Sequence, residues 1–375
     1  MNQDRENANR IVLAEAWHLA LPMNYDLRIG PITYRTRDYV VLRLTDDEGH
    51  QGVGVGYTRG TALLPSVMTI VEQLDSLGAD PASVHRTLQG RFAPGWAGMI
   101  RAAAIVDIAL WDIQARRAGR PMWAMFGEAP RQVPLMVVAG YFMDIRGQSA
   151  ILDEIDRFVA EGYQTMKVIV GGSDVAADAA LVAAIAGRVP ASIDIAIDVH
   201  GAFKDPSDAV SYAEAFVDLP IAFIEDPCPN FDVAELCEVA RRSPLPIATG
   251  EDLISVSAYR QLVASGVSLL RIDATSIGGY TPALTGVGIA ADANVRVAPH
   301  VWPHVHMPLA AASELVSTIE VIPAYVSADP LMGLLAEPLP ILAGTWQAPD
   351  VPGLHLPLDW DRVAAIATTS TTHRF

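Results

Sequence analysis

The chain has 375 residues, 51% of them apolar and only 18% charged, with a formal net charge of −17. Such a composition can bury a large core and excludes global disorder, and the acidic balance argues against nucleic acid or an anionic membrane as a partner. An acidic small molecule stays possible, because a bound divalent metal can invert the local field.

The length suits two domains better than one. No targeting segment is evident: the first apolar run, Ile11 to Met23, is interrupted by Glu15 and His18. No stretch reaches the ~20 clean apolar residues of a membrane helix. Cys228 and Cys237 are the only cysteines and lack a zinc-type spacing, so they read as reduced thiols. The expectation is a soluble cytoplasmic protein.

In chain order, Ile11–Ala20, Tyr39–Leu44 and Gly52–Tyr57 read as strands, with Asp46-Asp47-Glu48-Gly49 as a hairpin turn. Ile100–Ala118 reads as a helix, stopped by Gly119-Arg120-Pro121. From Val133 the pattern changes to short apolar runs alternating with amphipathic helices. Strands are expected near 133, 165, 193, 222, 247, 269, 296 and 316. Eight βα units in about 200 residues predict a closed (β/α)8 TIM-type barrel rather than an open sheet. The expected organisation is an α+β N-terminal domain over 1–130, a barrel over 131–343, and a C-terminal segment, 344–375, packing back on the N-terminal domain.

A barrel places its chemistry at the C-terminal ends of its strands. Those ends read Lys167, Asp198 with His200, Glu225 with Asp226, Glu251 with Asp252, Asp273, His300 and Glu320. Charged residues are rarely buried without a partner, and a purely structural barrel needs no such series. Asp198, Glu225 and Glu251 are one βα unit apart, so three adjacent strands aim one carboxylate each at a common point. Any one of these acids could simply cap the following helix. Together, three hard oxygen donors without cysteine suit Mg²⁺. Asp273 and His300 end the next two strands, where an acid beside a histidine makes a general base. His304 and His306 read as loop or packing residues.

At this point a resemblance is visible. Ala109-Leu110-Trp111-Asp112 followed by Gly119-Arg120-Pro121, Ile224-Glu225-Asp226-Pro227, Thr249-Gly250-Glu251, Ile277-Gly278-Gly279, Ala298-Pro299-His300 and Pro352-Gly353-Leu354 resemble the motifs of the mandelate racemase/muconate lactonizing branch of the enolase superfamily. The resemblance covers nearly the whole chain. It implies an N-terminal domain capping the barrel, Asp198, Glu225 and Glu251 as Mg²⁺ ligands, and Asp273–His300 as an acid/base dyad. Glu320 corresponds to the acid that hydrogen-bonds the substrate carboxylate or the intermediate. A homo-oligomer, dimer or octamer, is implied in the same way.

One departure matters. The family usually carries Lys-x-Lys at the end of the second barrel strand, and this chain has Lys167-Val168-Ile169. An alkyl side chain takes no proton, so Lys167 is left to bind the substrate carboxylate and His300 is the one evident base. A histidine two residues after a metal ligand, as in Asp198-Val199-His200, resembles the galactonate and mannonate dehydratases, where it protonates a leaving hydroxyl. The expected reaction is therefore dehydration of a sugar acid. A racemase, epimerase or cycloisomerase on the same scaffold is the alternative, and a non-catalytic ligand-binding barrel the remote one. The capping loops near Met23–Arg35 and Tyr57–Thr61 offer Tyr25, Arg28, Tyr57 and Arg59 as candidates for the distal end of the substrate.

Overall fold

The computed structural model describes residues 10–29, 32–127 and 132–375. The chain begins with three strands, β1 (Ile11–Ile29), β2 (Ile32–Asp46) and β3 (Gln51–Tyr57). β1 and β2 form one long antiparallel ladder, with an irregularity between Pro22 and Leu27. The strand expected to stop at Ala20 therefore runs on. Cross-strand pairing of Leu27 with Tyr34 and Arg28 with Thr33 carries it through the polar stretch that looked like a loop. At the β2–β3 turn, Asp46 Oδ1 accepts from the backbone N–H groups of Glu48 and His50 at 3.0 and 2.8 Å. That is the local chemistry by which an aspartate closes a turn.

The helix Trp96–Arg117 lies directly on β3. A Cβ at Gly52 would meet the Ala109 carbonyl oxygen at 2.0 Å, and one at Gly54 the Ile105 oxygen at 1.9 Å. Glycine is required at both positions because the helix backbone occupies the space of a side chain. Val53 and Val55 alternate with them and join the core shared with the barrel.

The barrel strands are β4 (Gln132–Ala139), β5 (Thr165–Ile169), β6 (Asp194–Asp198), β7 (Ile221–Glu225), β8 (Ile247–Thr249), β9 (Leu269–Leu270), β10 (Arg296–Val297) and β11 (Ile319–Val321). Each pairs in parallel with the next from β4 to β10. β11 pairs with β4, and a Val297–Val316 bridge joins its approach to β10. The eight strands of the sequence pattern are thus present and closed. The last ones are shorter than expected because the functional residues leave the strand. Asp273 caps the short helix Ala274–Ile277, and the residues after His300, Val301 and Trp302, turn into left-handed backbone.

Met136, Ala196, Phe223, Ala248, Leu269 and Ala298 fill the barrel interior as a separate apolar cluster. Side chains two residues apart on a strand share a face. Ala196, Phe223 and Ala298 therefore direct Asp198, Glu225 and His300 to the layer above this plug.

β12 (Ile341–Leu342) closes the span expected for the barrel, and the C-terminal segment contributes β13 (Thr345–Gln347) and β14 (Thr369–Arg374). β13 pairs antiparallel with the start of β4, and β14 with β1, giving a four-stranded sheet in the order β14-β1-β2-β3. Asp112 ties the pieces together. Its Oδ2 accepts from Val53 N at 2.9 Å and its Oδ1 from Leu354 N at 2.7 Å, while Arg116 Nε donates to Oδ1 at 2.9 Å. Among the described residues no helix is long and apolar enough to cross a membrane.

Candidate active site

The C-terminal ends of the barrel strands carry a buried ring of charge. Lys167, 2% exposed, stands on β5 with Nζ 2.8 Å from Glu225 Oε1 and 3.0 Å from both Asp198 Oδ2 and Glu320 Oε1. Arg271 follows β9, with Nε 3.0 Å from Glu225 Oε2 and Nη2 on Glu320 Oε2, while Nη1 donates to the Ala298 carbonyl at 2.6 Å. Burial alone would strip the charge from Lys167, but Asp198 and Glu225 outweigh it and hold the ammonium protonated. The same attraction keeps Asp198 ionised against its own burial, with His200 contributing most and Lys167 next.

Carboxylates outnumber these cations. Oxygens of Glu225, Asp226 and Glu251 lie within 4.8 Å of one another. Asp226, in a left-handed backbone conformation (φ 43°), accepts from Thr249 Oγ1 at 2.7 Å and from Asn230 Nδ2 at 2.6 Å. Glu225 Oε2 and Glu251 Oε2 are buried without an aligned hydrogen-bond donor. Burial, then Asp226 and Glu225, push the Glu251 carboxyl well above its usual range. Burial, then Glu225 and Asp198, push Asp226 up to about 7. Clustered hard oxygens with an unsatisfied buried member fit a divalent cation with oxygen preference. Asp198, the third carboxylate of the sequence triad, stands outside the 4.8 Å group. Its oxygens are taken by Lys167 Nζ and by His200 Nδ1 at 2.6 Å.

Two histidines flank this cluster, and their surroundings push their pKa values in opposite directions. His300 Nδ1 is 3.1 Å from Asp273 Oδ2, and its Nε2 faces Glu251 Oε1 at 3.5 Å. Burial drops its pKa to about 4 despite Asp273, so the ring is neutral near pH 7 with a free nitrogen toward the cavity. Asp273 is itself pinned: Oδ1 accepts from Thr275 N and Oγ1, both at 2.7 Å. The hydrogen bond to His300 holds it ionised although burial opposes that. His200, by contrast, has its pKa raised, since Asp198 outweighs the effect of burial. Its backbone is left-handed (φ 50°), an uncommon conformation for a non-glycine residue and one that clusters at functional sites.

A cavity of about 440 Å³ opens over the ring and includes Lys167, Asp198, His200, Glu251, His300 and Glu320 in its lining. All the strand-end residues singled out in the sequence therefore converge here, Glu225 and Asp273 just beneath the surface. Ile169 is half-buried against the core. The capping candidates divide. Arg59 lines this cavity and Tyr57 the adjoining one. Tyr25 and Arg28 line neither: Tyr25 packs its ring on Phe142, and Arg28 pairs with Asp144 at the surface. In their place the β1–β2 arm contributes Tyr34 and Arg37 to the cavity. His306 is closer to the chemistry than its loop position suggested. Its Nδ1 donates to the Val301 carbonyl at 2.7 Å, and Nε2 accepts from Ala274 N at 2.9 Å beside Asp273.

Arg271 is the residue the strand-end reading overlooked. The signal was present: Leu269-Leu270-Arg271-Ile272-Asp273 places a charge two residues before Asp273, on the same strand face. Arg37 was overlooked for another reason, since nothing in the stretch Tyr34-Arg35-Thr36-Arg37 says which of its basic residues points inward.

This fold and site define a class. The enolase C-terminal domain-like family matches residues 150–362, and the mandelate racemase/muconate lactonizing enzyme N-terminal domain matches residues 8–127. The chain belongs to the mandelate racemase/muconate lactonizing enzyme family of the enolase superfamily. Among its relatives, a 3,6-anhydro-alpha-L-galactonate cycloisomerase of Streptomyces coelicolor is 28% identical over 343 residues, covering 88% of this chain and 91% of the relative. An L-talarate/galactarate dehydratase of Salmonella typhimurium is 27% identical over 294 residues, 75% of this chain and 72% of the relative. The crystal structure of L-talarate/galactarate dehydratase from that organism superposes with a TM-score of 0.89 at 22% identity, covering 100% of this chain and 96% of the other, a likeness of fold. A Streptomyces coelicolor racemase with bound magnesium superposes at 0.86 with 25% identity, covering 96% and 100%.

Proposed function

We propose that this protein dehydrates a sugar acid to a 2-keto-3-deoxy acid in a Mg²⁺-dependent reaction. The observation that carries the reading is the pair of histidines whose surroundings push their protonation apart. His300 is oriented by Asp273 with its pKa pushed down, His200 is paired with Asp198 with its pKa pushed up, and both face one cavity. Opposed shifts of this kind assign a base and an acid to one site.

Glu225, Glu251 and Asp198 would hold the Mg²⁺ ion, which when bound supplies positive charge against the negative charge developing on the substrate carboxylate. Asp226 lies in the same oxygen cluster, with Thr249 and Asn230 on its two oxygens as Lys167 and His200 are on those of Asp198. Lys167, kept charged by its carboxylate neighbours, binds the substrate carboxylate. His300 Nε2 removes the proton from the α-carbon, and Asp273 stabilises the imidazolium that forms. The electron pair left on the α-carbon moves into the carboxylate, then returns to form the C2–C3 double bond as the C3–O bond breaks. His200 donates the proton that lets the β-hydroxyl leave as water. The enol product tautomerises to the keto acid. Glu320, with one oxygen on Lys167 and the other on Arg271, holds the two cations in place at the carboxylate end of the substrate.

The relatives include dehydratases of galactarate and galactonate, which supports dehydration, and also a cycloisomerase and an epimerase, which keep isomerisation in view. Ile169 favours dehydration, since a two-base epimerase needs a proton acceptor on each face of the α-carbon. The test is a panel of acid sugars with Mg²⁺ in D₂O. The expected result is a 2-keto-3-deoxy acid from one α-epimer only, with no deuterium at C2 of recovered substrate. Interconversion of epimers with solvent deuterium in each, and no keto acid, assigns an epimerase instead.

A further inference from the structure

The roof of the cavity differs from its floor. Arg37 from β2, Arg59 just after β3 and Arg101 from the helix Trp96–Arg117 all line it, opposite the carboxylates of the barrel. Arg101 is committed, with Nη2 2.5 Å from Asp252 Oδ1. Arg59 reaches the same oxygen only at 3.8 Å, and its buried Nε has no hydrogen-bond partner. Arg37 forms no ion pair within 4.0 Å among the described residues, and its buried Nε is likewise unpartnered. Asp329, the acid whose charge bears on Arg37, gives its Oδ1 to the Tyr39 hydroxyl at 2.8 Å.

The Arg37 and Arg59 guanidiniums rest on one aromatic ring. Arg37 Cζ is 5.0 Å and Arg59 Cζ 5.4 Å from the centroid of Tyr57, which is itself wedged on Trp302 at 4.4 Å. Stacking fixes the forks without using their N–H donors. Arg59 also holds a left-handed backbone (φ 50°), a strain that persists only where the surroundings impose it. Both side chains are half-buried, and a buried Nε–H left unpaired is costly unless a ligand supplies the acceptor. Three arginines against Asp252 and Asp329 leave one positive charge, which matches one carboxylate rather than a phosphate dianion. The adjoining cavity of about 230 Å³ shares Tyr34, Arg37 and Arg59, so the subsite lies between the floor chemistry and the β1–β2 arm.

We propose that Arg37 and Arg59 form a distal carboxylate subsite, and that the substrate is therefore a dicarboxylic sugar acid, an aldaric acid, rather than an aldonic acid. This rests on the dehydratase reading for the reaction but not for the binding. One carboxylate sits at the Lys167 end and the second on the arginine pair, which fixes the length and orientation of the chain between them.

The experiment compares six-carbon aldaric acids, the matching aldonic acids and 6-phosphoaldonic acids on the Mg²⁺-loaded enzyme, reading both keto acid formation and ligand-induced thermal shift. The expected result is an aldaric preference of about 100-fold in kcat/KM over the aldonic counterpart. Arg37→Met and Arg59→Met should each cut that preference roughly 10–100-fold, the size of a lost charged hydrogen bond, chiefly through KM. Arg37→Lys should recover part of it. Aldonic acids turned over as well as aldaric ones overturn the subsite and leave the dehydratase intact. A preference for the phosphorylated acids overturns the carboxylate assignment. Arginine-dependent aldaric binding without any turnover keeps the subsite and removes the dehydratase. Binding that is equal for mono- and diacids, or unchanged in the arginine variants, overturns the proposal whichever reaction is catalysed.

Discussion

Two buried acidic regions of this molecule are built from the same residue types and reach opposite outcomes. On the buried faces of the helix Trp96–Arg117, Asp107 toward the helix Tyr280–Asp292 and Asp112 toward β3 and the C-terminal segment are fully used. Asp107 accepts from Thr281 N at 3.1 Å and Thr281 Oγ1 at 2.6 Å, while Asp112 accepts from Val53, Leu354 and Arg116. At the barrel mouth, Glu251 Oε2, Arg37 Nε and Arg59 Nε are buried with donors or acceptors unspent. Burial opposes ionisation in both places. In the first, the protein supplies the compensating bonds itself and gains rigidity. In the second, it leaves them for a cation and a substrate. Whether a buried polar atom is satisfied separates an architectural acid from a binding one better than its burial does.

The largest effect should come from the mouth. His300→Asn removes the ring nitrogen facing the cavity but keeps a polar group near Asp273. General acid–base catalysis is worth about 10²–10⁴-fold, so kcat should fall by that factor or more. Mg²⁺ affinity, read by calorimetry, and the urea midpoint should stay close to those of the parent. Near-normal turnover in this variant would place the base elsewhere.

The architectural region should fail in the other way. Asp112→Ala leaves the buried N–H groups of Val53 and Leu354 without an acceptor. Each such orphan costs about 1–3 kcal/mol, so urea unfolding should show a loss of about 2–5 kcal/mol. The folded fraction should retain its kcat, because Asp112 touches nothing at the mouth. A variant of unchanged stability and lowered kcat would erase the distinction between the two regions.

The sequence makes this division half visible. Strand-end polarity located Lys167, Asp198, Glu225, Glu251, Asp273, His300 and Glu320, because an eight-strand parallel pattern dictates which end of each apolar run faces the mouth. The same rule could not see which oxygens stay unspent. That depends on Lys167 drawing Asp198 away from Glu251, and on Thr249 and Asn230 occupying Asp226. Lys167 and Glu225 are 58 residues apart in the chain, a contact no local pattern encodes. The capping arm was the least legible part. Tyr25 and Arg28 were singled out and Arg37 was not, and only the β1–β2 register, pairing Leu21 with Arg37, decides which side chain reaches the cavity.

The smallest effect is also the sharpest, because its sign differs between the regions. Glu251 is ionised only against burial and against the neighbouring charges of Asp226 and Glu225. Its Oε2 makes no hydrogen bond that a neutral amide would lose. Glu251→Gln therefore removes a repulsion without orphaning a donor. With EDTA present the variant should be at least as stable as the parent, whereas Asp112→Ala is clearly less so. Adding Mg²⁺ should reverse the order. A ligand bound only to the folded state stabilises by about 2.7 kcal/mol at a hundredfold excess over its Kd. The parent should show that gain and Glu251→Gln little of it. Thermal unfolding of both proteins with and without Mg²⁺ reads the two numbers directly. If Glu251→Gln is strongly destabilised in EDTA and still gains stability from Mg²⁺, then Glu251 is an architectural acid like Asp112, and the cation is held without it.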